Sequence, residues 1–257
     1  MLDAFTYAAY RALISRLART HALLRFADVK DGLPAHPFVI LRHDVDYSPR
    51  AALDLAVQEA AQGWRATYFL LPGGPYYNLL EPETAGLPRR LLDLGHEVGL
   101  HYDVRLLRSF PRRDWDRVLD AQVDLLTGLG VPAVVSIARH QPALTGHEDP
   151  FAHRTEYLNA YEDRFVRHTT YVSDSCRAWR DAAWEALSEG PLPDRLQLLL
   201  HPVNWAEADR SREEIFAGVR RDFILRFDAI HAELMQRIAE HSGVKEHESR
   251  LARQGVS

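Results

Sequence analysis

Cysteine is almost missing from this chain: Cys176 is the only one in 257 residues. A lone thiol makes no intramolecular disulfide and supplies no thiolate cluster for zinc or iron–sulfur, so any metal must sit on histidine and carboxylate ligands. An excess of positive charge is missing too, with 31 Lys and Arg against 36 Asp and Glu for a net charge of −5. That balance offers no bulk attraction to phosphate backbones or anionic membranes, which argues against a nucleic-acid partner. No apolar run approaches the ~18 residues of a membrane span. Met1-Leu2-Asp3-Ala4-Phe5 lacks the basic and then apolar pattern of a secretory leader. The expectation is a soluble, cytoplasmic chain. Internal repeats and low-complexity segments are absent, and no Gly-x-Gly-x-x-Gly follows the first strand-like run. An open dinucleotide-binding sheet would therefore lack its phosphate loop.

What is present is an ordinary globular composition, 46% hydrophobic and 26% charged. Six short apolar runs bounded by Gly, Pro or polar residues predict buried strands: Phe38 to Asp46, Ala66 to Leu71, His96 to Asp103, Ala133 to His140, Thr169 to Asp174, and Leu196 to His201. Helical patterns separate them. Ser48-Pro49 caps a helix with Ala52, Ala56, Val57 and Ala60 on its apolar face, ended by Gly63. Trp115, Val118, Leu119, Leu125 and Leu126 form a second stripe, ended near Gly128 or Gly130. The opening segment, Leu2 to Leu24, also has a helical pattern. Ser211-Arg212-Glu213-Glu214 is a capping box leading into Ile215, Val219, Phe223, Phe227, Ile230, Leu234 and Ile238, a helix of about seven turns. Strand and helix alternating in this way predict an α/β fold with a parallel sheet, either closed as a (β/α) barrel or open and doubly wound. Residues 1–241 are expected to form one barrel domain with an N-terminal helix and a long C-terminal helix, and residues 242–257 a polar, frayed tail.

The barrel is favoured because titratable residues gather at the C-terminal ends of the strands, which converge on one mouth in such a fold. Ile40-Leu41-Arg42-His43-Asp44-Val45-Asp46 ends the first run. Alternation puts Asp44 and Asp46 on one face and His43 on the other. Two carboxylates that close repel unless a cation or a shared proton lies between them. In Gly95-His96-Glu97-Val98-Gly99-Leu100-His101-Tyr102-Asp103, His101 and Asp103 share a face, and His101 is the residue most able to meet Asp46 across the mouth. His96 points the other way and is read as a packing histidine. Arg139-His140-Gln141-Pro142 ends another run in a cation beside an imidazole, and His140 is either a third ligand or a solvated side chain. His201 follows three leucines and precedes Pro202-Val203-Asn204-Trp205. Supported by a carboxylate such as Asp174 it suits a general acid, and unsupported it is a buried core histidine.

Together these segments resemble the polysaccharide deacetylases of carbohydrate esterase family 4, NodB-type metal-dependent N-deacetylases with a distorted barrel of about seven strands. The likeness runs from Phe38 to Trp205. The family's first motif ends in two aspartates, base and metal ligand, and Asp44-Val45-Asp46 matches it. Its second is a Gly-His-Glu-x-Gly-x-His run whose last histidine, here His101, binds metal. The family usually has another histidine four residues on, where this chain has Arg105. The pattern is similar to a divergent branch with a later histidine before a proline, an Asp-Ser/Thr-x-Arg-x-Trp segment and a final His-Pro-x-x-Trp. His140, Asp174-Ser175-Cys176-Arg177-Ala178-Trp179 and His201-Pro202-Val203-Asn204-Trp205 fill those places.

The resemblance implies Asp44 as catalytic base, His201 as acid, and one divalent ion on Asp46, His101 and His140, with Asp103 the alternative third ligand. Zinc is expected first, with Fe, Mn, Co or Ni also suited to N and O donors. His43, Asp103, Arg139, Asp174, Arg177 and Trp205 are expected in supporting or substrate-binding roles. Arg139 or Arg177 would pair with Asp44, and Asp174 would orient His201. Tyr47, Tyr76, Tyr77, Tyr102 and Trp205 would either form a sugar-stacking face or pack the barrel. The implied partner is an acetylated amino sugar or polysaccharide precursor, in O-antigen or other surface-polysaccharide biosynthesis. Two other readings stand beside this one. A phosphoesterase of the PHP type wants a His-x-His that His43-Asp44-Val45-Asp46 does not supply, and a degenerate glycan-binding barrel would explain Arg105.

Overall fold

The computed structural model describes residues 4–145, 149–178 and 187–253; Trp179 lies outside them. The chain divides into two compact units, Met1–Arg212 and Glu213–Ser257.

In the first unit all six expected strands form: β2 (Phe38–Val45), β3 (Thr67–Leu70), β4 (Glu97–Tyr102), β5 (Ser136–Arg139), β7 (Thr170–Ser173) and β8 (Arg195–Leu200). Two short ones join them, β1 (Ala22–Leu24) and β6 (Leu158–Asn159). Every pairing is parallel, in the order β6-β5-β4-β3-β2-β8-β7. β1 lies beside the start of β2, with Ala22 opposite Phe38, on the edge that β3 takes further along, where Arg42 meets Thr67. The sheet curls so that side chains reach across it: Gln197 of β8 donates to the carbonyls of Ala160, just beyond β6, and of Phe165 in the turn of helix that follows. This is the α/β distorted barrel expected of the sequence.

Alternation along the strands divides the core in two. Phe38 and Ile40 point inward with Phe26, Phe69, Ala138 and Phe165. Val39, Leu41 and Val45 point outward beneath the helices, with Leu55, Leu91 and Leu119. Those helices are α1 (Tyr7–Ala18), α2 (Pro49–Ala61), α3 (Leu87–Asp93) and α4 (Trp115–Gly128). α2 begins as expected, with Ser48 Oγ accepting from the Ala51 N–H at 3.2 Å. α1 is shorter than the helical pattern from Leu2 to Leu24. It stops at Ala18, and the His21 ring bridges the Thr20 hydroxyl and the Pro193 carbonyl before the chain turns into β1. Pairing with β2 thus overrides local helix preference for residues 22–24.

Gly99 of β4 is there for contact rather than for a turn. A Cβ at this position would lie 2.5 Å from Phe69 and 2.8 Å from Ser136 Oγ, so the barrel interior closes only over a hydrogen. Below it, Glu97 accepts from Thr67, Ser136 and the Ala27 N–H. Above it stands His101.

The second unit contains most of α5 (Arg212–Arg253), a helix that runs well beyond the seven turns legible in its apolar pattern. Among the described residues, no helix is long and apolar enough to cross a membrane.

Candidate metal and acid–base site

Five strand ends deliver the polar side chains. Asp46 follows β2, His101 lies near the end of β4, His140 follows β5, Asp174 follows β7, and His201 follows β8. The parallel register makes these ends level: His43 stands opposite Leu200, and His101 opposite Ala138.

Asp46, His101 and His140, all buried, form the one group of three potential metal ligands among the described residues. Asp46 Oδ1 is 3.2 Å from His101 Nε2 and 3.2 Å from His140 Nδ1, and the two ring nitrogens are 3.2 Å apart. Asp46 Oδ1 nonetheless has no hydrogen-bond partner. His101 Nδ1 lies 2.9 Å from the Ala138 carbonyl, an acceptor only, so Nδ1 carries the hydrogen. In the neutral ring Nε2 then turns a lone pair toward a carboxylate oxygen that also has only lone pairs. Three buried donor atoms facing one another in this way ask for a cation. The spacing suits one: ligand bonds of about 2.0–2.1 Å in a tetrahedral zinc site put donor atoms about 3.3–3.4 Å apart. Asp103 is not in the group. It caps a short helix at the Arg105 N–H and pairs with the Arg105 guanidinium at 2.7 Å.

Asp44 projects to the same side, 4% exposed, with Oδ2 3.7 Å from His101 Nε2. The guanidinium on it belongs to neither Arg139 nor Arg177. It is Arg42, fully buried, whose Nε and Nη2 donate to the two carboxylate oxygens at 2.8 Å each. Two residues apart on one strand, Arg42 and Asp44 necessarily share a face. Tyr161 and Gln197 hold the guanidinium from beyond, at 2.9 and 3.3 Å. Burial would raise the Asp44 pKa; Arg42, then His101, keep it below the ordinary value. Arg177 instead pairs with Asp209, and Arg139 is buried near Tyr102.

Asp174 is fully buried and accepts from the His201 N–H at 2.9 Å, the Asn204 amide at 3.0 Å and the Trp205 indole N–H at 3.0 Å. Its Oδ1 takes the His201 Nδ1 hydrogen at 2.7 Å, leaving Nε2 turned to the site, 3.8 Å from Asp46 Oδ2. Burial would lower the His201 pKa, but Asp174, Asp46 and Asp44 push it up to about 9. His201 is therefore protonated at neutral pH and, at 14% side-chain exposure, within reach of a ligand in the mouth.

The other expected residues divide plainly. His43 points away from the site, as alternation requires, and bonds Glu59 at 2.8 Å. Trp205 is buried against Phe5 and Tyr10, Tyr77 donates to the Val45 carbonyl, and Tyr102 donates to Asp149, so these three aromatics pack. Tyr47, the residue after Asp46, meets Tyr76 edge to face at 5.2 Å, and both remain partly exposed. Sequence reasoning passed over Arg42, although the alternation that paired Asp44 with Asp46 also includes it.

No family model matches this chain, and no curated protein matches it. Among solved structures it is similar to a family 4 carbohydrate esterase from Streptomyces lividans in complex with acetate, at 16% identity and a TM-score of 0.46, over 73% of this chain and 86% of that one. It is also similar to the peptidoglycan deacetylase PdaC from Bacillus subtilis, at 16% identity and 0.44, over 88% and 100%. A CE4 family pseudoenzyme from Bacillus anthracis matches at 15% and 0.46, over 76% and 63%.

Proposed function

We propose that the chain is a divergent polysaccharide deacetylase, a metal-dependent amide hydrolase that removes the N-acetyl group from an amino sugar or glycan intermediate. The observation that carries this reading is the convergence, within one barrel mouth, of an Asp–His–His donor set, a buried carboxylate paired with Arg42 and an imidazole held by Asp174. Asp46, His101 and His140 would hold the metal. When bound, a divalent ion supplies Lewis acidity to an acetamide carbonyl and lowers the pKa of water.

The protein's own groups account for the proton traffic. Asp44, kept ionised by Arg42, takes the proton of the attacking water. His201, kept charged by Asp174, gives a proton to the departing amine, without which an amide nitrogen leaves poorly. Tyr47 and Tyr76 form the exposed aromatic edge suited to a sugar face. Zinc fits two imidazoles and a carboxylate, as do Fe, Mn, Co and Ni. The motif pattern through His140 and His201-Pro202-Val203-Asn204-Trp205 supports a place in O-antigen or other surface-polysaccharide biosynthesis, acting on a precursor in the cytoplasm.

The test is amine release from acetylated amino sugars by the chelated and zinc-reloaded protein. Asp44→Asn should bind about one metal per chain and lose 10²–10⁴-fold in kcat, roughly the share of general-base catalysis. Full turnover in that variant would remove Asp44 from its role. Cleavage of phosphomonoesters but not acetamides would remove the reaction class.

A further inference from the structure

α5 carries an exposed apolar stripe. Phe216, Phe223, Phe227, Ile230, Leu234 and Ile238 are all exposed, Phe227 at 61% and Leu234 at 52%. At 3.6 residues per turn these six fall within an arc of about 80° and run for about 35 Å. Their spacing repeats every eleven residues, Phe216 to Phe227 to Ile238 and Phe223 to Leu234, which keeps the stripe almost straight along the helix. A helix with so much apolar surface in water is ordinarily one half of an interface.

The charges beside the stripe say what the other half is. Asp222, Arg226, Glu233 and Arg237 lie along one flank. Read in reverse, their signs are +, −, +, −, the complement of the forward order. An antiparallel copy of the same helix, with the two-fold axis between Ala229 and Ile230, sets Asp222 level with Arg237 of the second copy and Arg226 level with Glu233. Both contacts occur twice by symmetry. On the opposite flank the same register sets Asp228 level with His231 of the second copy. The apolar residues interleave in that register: Phe227 falls between Ile230 and Leu234 of the second copy, and Phe223 between Leu234 and Ile238. We propose that α5 pairs antiparallel with α5 of a second copy of this chain, making an isologous dimer centred between Ala229 and Ile230. This does not depend on the hydrolase reading.

Sedimentation of the full chain over a concentration series tests it. A dimer is expected for the wild type, and a monomer for Phe227→Glu with unchanged far-ultraviolet helicity. Arg226→Glu sets like charges together at two places and should raise the dissociation constant at least about tenfold, as should Glu233→Arg. The double variant Arg226→Glu/Glu233→Arg should return within about threefold of wild type, because each new charge again faces its opposite. A monomeric wild type at about 100 μM overturns the proposal, and so does a dimer indifferent to Phe227→Glu. Failure of the double variant to recover overturns the antiparallel register.

Discussion

Arg42 is the residue through which strand geometry becomes chemistry. A fully buried guanidinium is costly unless it is paired, and among the described residues the carboxylate that pairs with it is Asp44, two residues along. Replacing it by glutamine removes the charge that holds Asp44 below its ordinary pKa. In Arg42→Gln the acidic limb of kcat/KM should therefore move to higher pH, with metal content unchanged; an unmoved limb would detach Arg42 from the base. At the opposite limb, His201 must be protonated to donate, and its pKa is raised to about 9 chiefly by Asp174. Asp174→Asn should shift the basic limb to lower pH, toward that of an ordinary imidazole near 6.5. Asp44, Asp46 and His101 were legible from alternation and a pair of carboxylates. Arg42 obeys the same alternation but sits amid Ile40 and Leu41, where a cation draws no notice until the strand is known to curl around it.

At the scale of elements, the outer face of the sheet has a polar knot of its own. Glu59 of α2 is fully buried and accepts from Tyr68 of β3 at 2.6 Å, from His43 of β2 at 2.8 Å and from Tyr10 of α1. Burial would raise its pKa, but His43, with His96 and Tyr10, lowers it. Folding thus depresses this carboxyl. Its contribution is complete above the unfolded pKa of about 4.3 and disappears as pH falls through the lower folded value. Glu59→Gln should cost about 3–5 kcal/mol at pH 7 by urea denaturation, and the gap from wild type should narrow in acid. Nothing in the sequence marks Glu59, since a glutamate in an amphipathic helix reads as solvent-facing. The strands β1 and β6 escaped for a different reason. With three and two residues, they are too short to show a period, and their pairing is decided by the neighbours that receive them.

For the whole first unit, the donor set doubles as a fastener, because its three ligands come from the ends of β2, β4 and β5. Binding to the folded state alone adds about 2.7 kcal/mol at a metal concentration a hundred times Kd. For a unit of this size that corresponds to a Tm rise of roughly 5–10 °C. Calorimetry of the metal-free chain titrated with zinc should show this rise, and Asp46→Ala should abolish it. An equal rise in the variant would mean that zinc binds elsewhere. The fold class was readable because strand and helix alternate cleanly through the first 200 residues. How the curled sheet is bridged was not, since that rests on Gln197 reaching the Ala160 and Phe165 carbonyls across the barrel.

The inward face of β2 has a consequence for how such a site can change over time. Arg42 and Asp44 are spaced by the pleat of one strand and Asp46 is the first residue beyond its end, so the three are set together by a short continuous stretch of backbone. Loops around the mouth can therefore lengthen, shorten or be exchanged, altering which molecule is admitted, while base, counter-charge and ligand travel together as a five-residue word. A single inserted or deleted residue within that word would put the members on either side of it on opposite faces of the strand. Substrate range is free to drift by small steps, whereas the electrostatic heart of the site is inherited whole or lost whole.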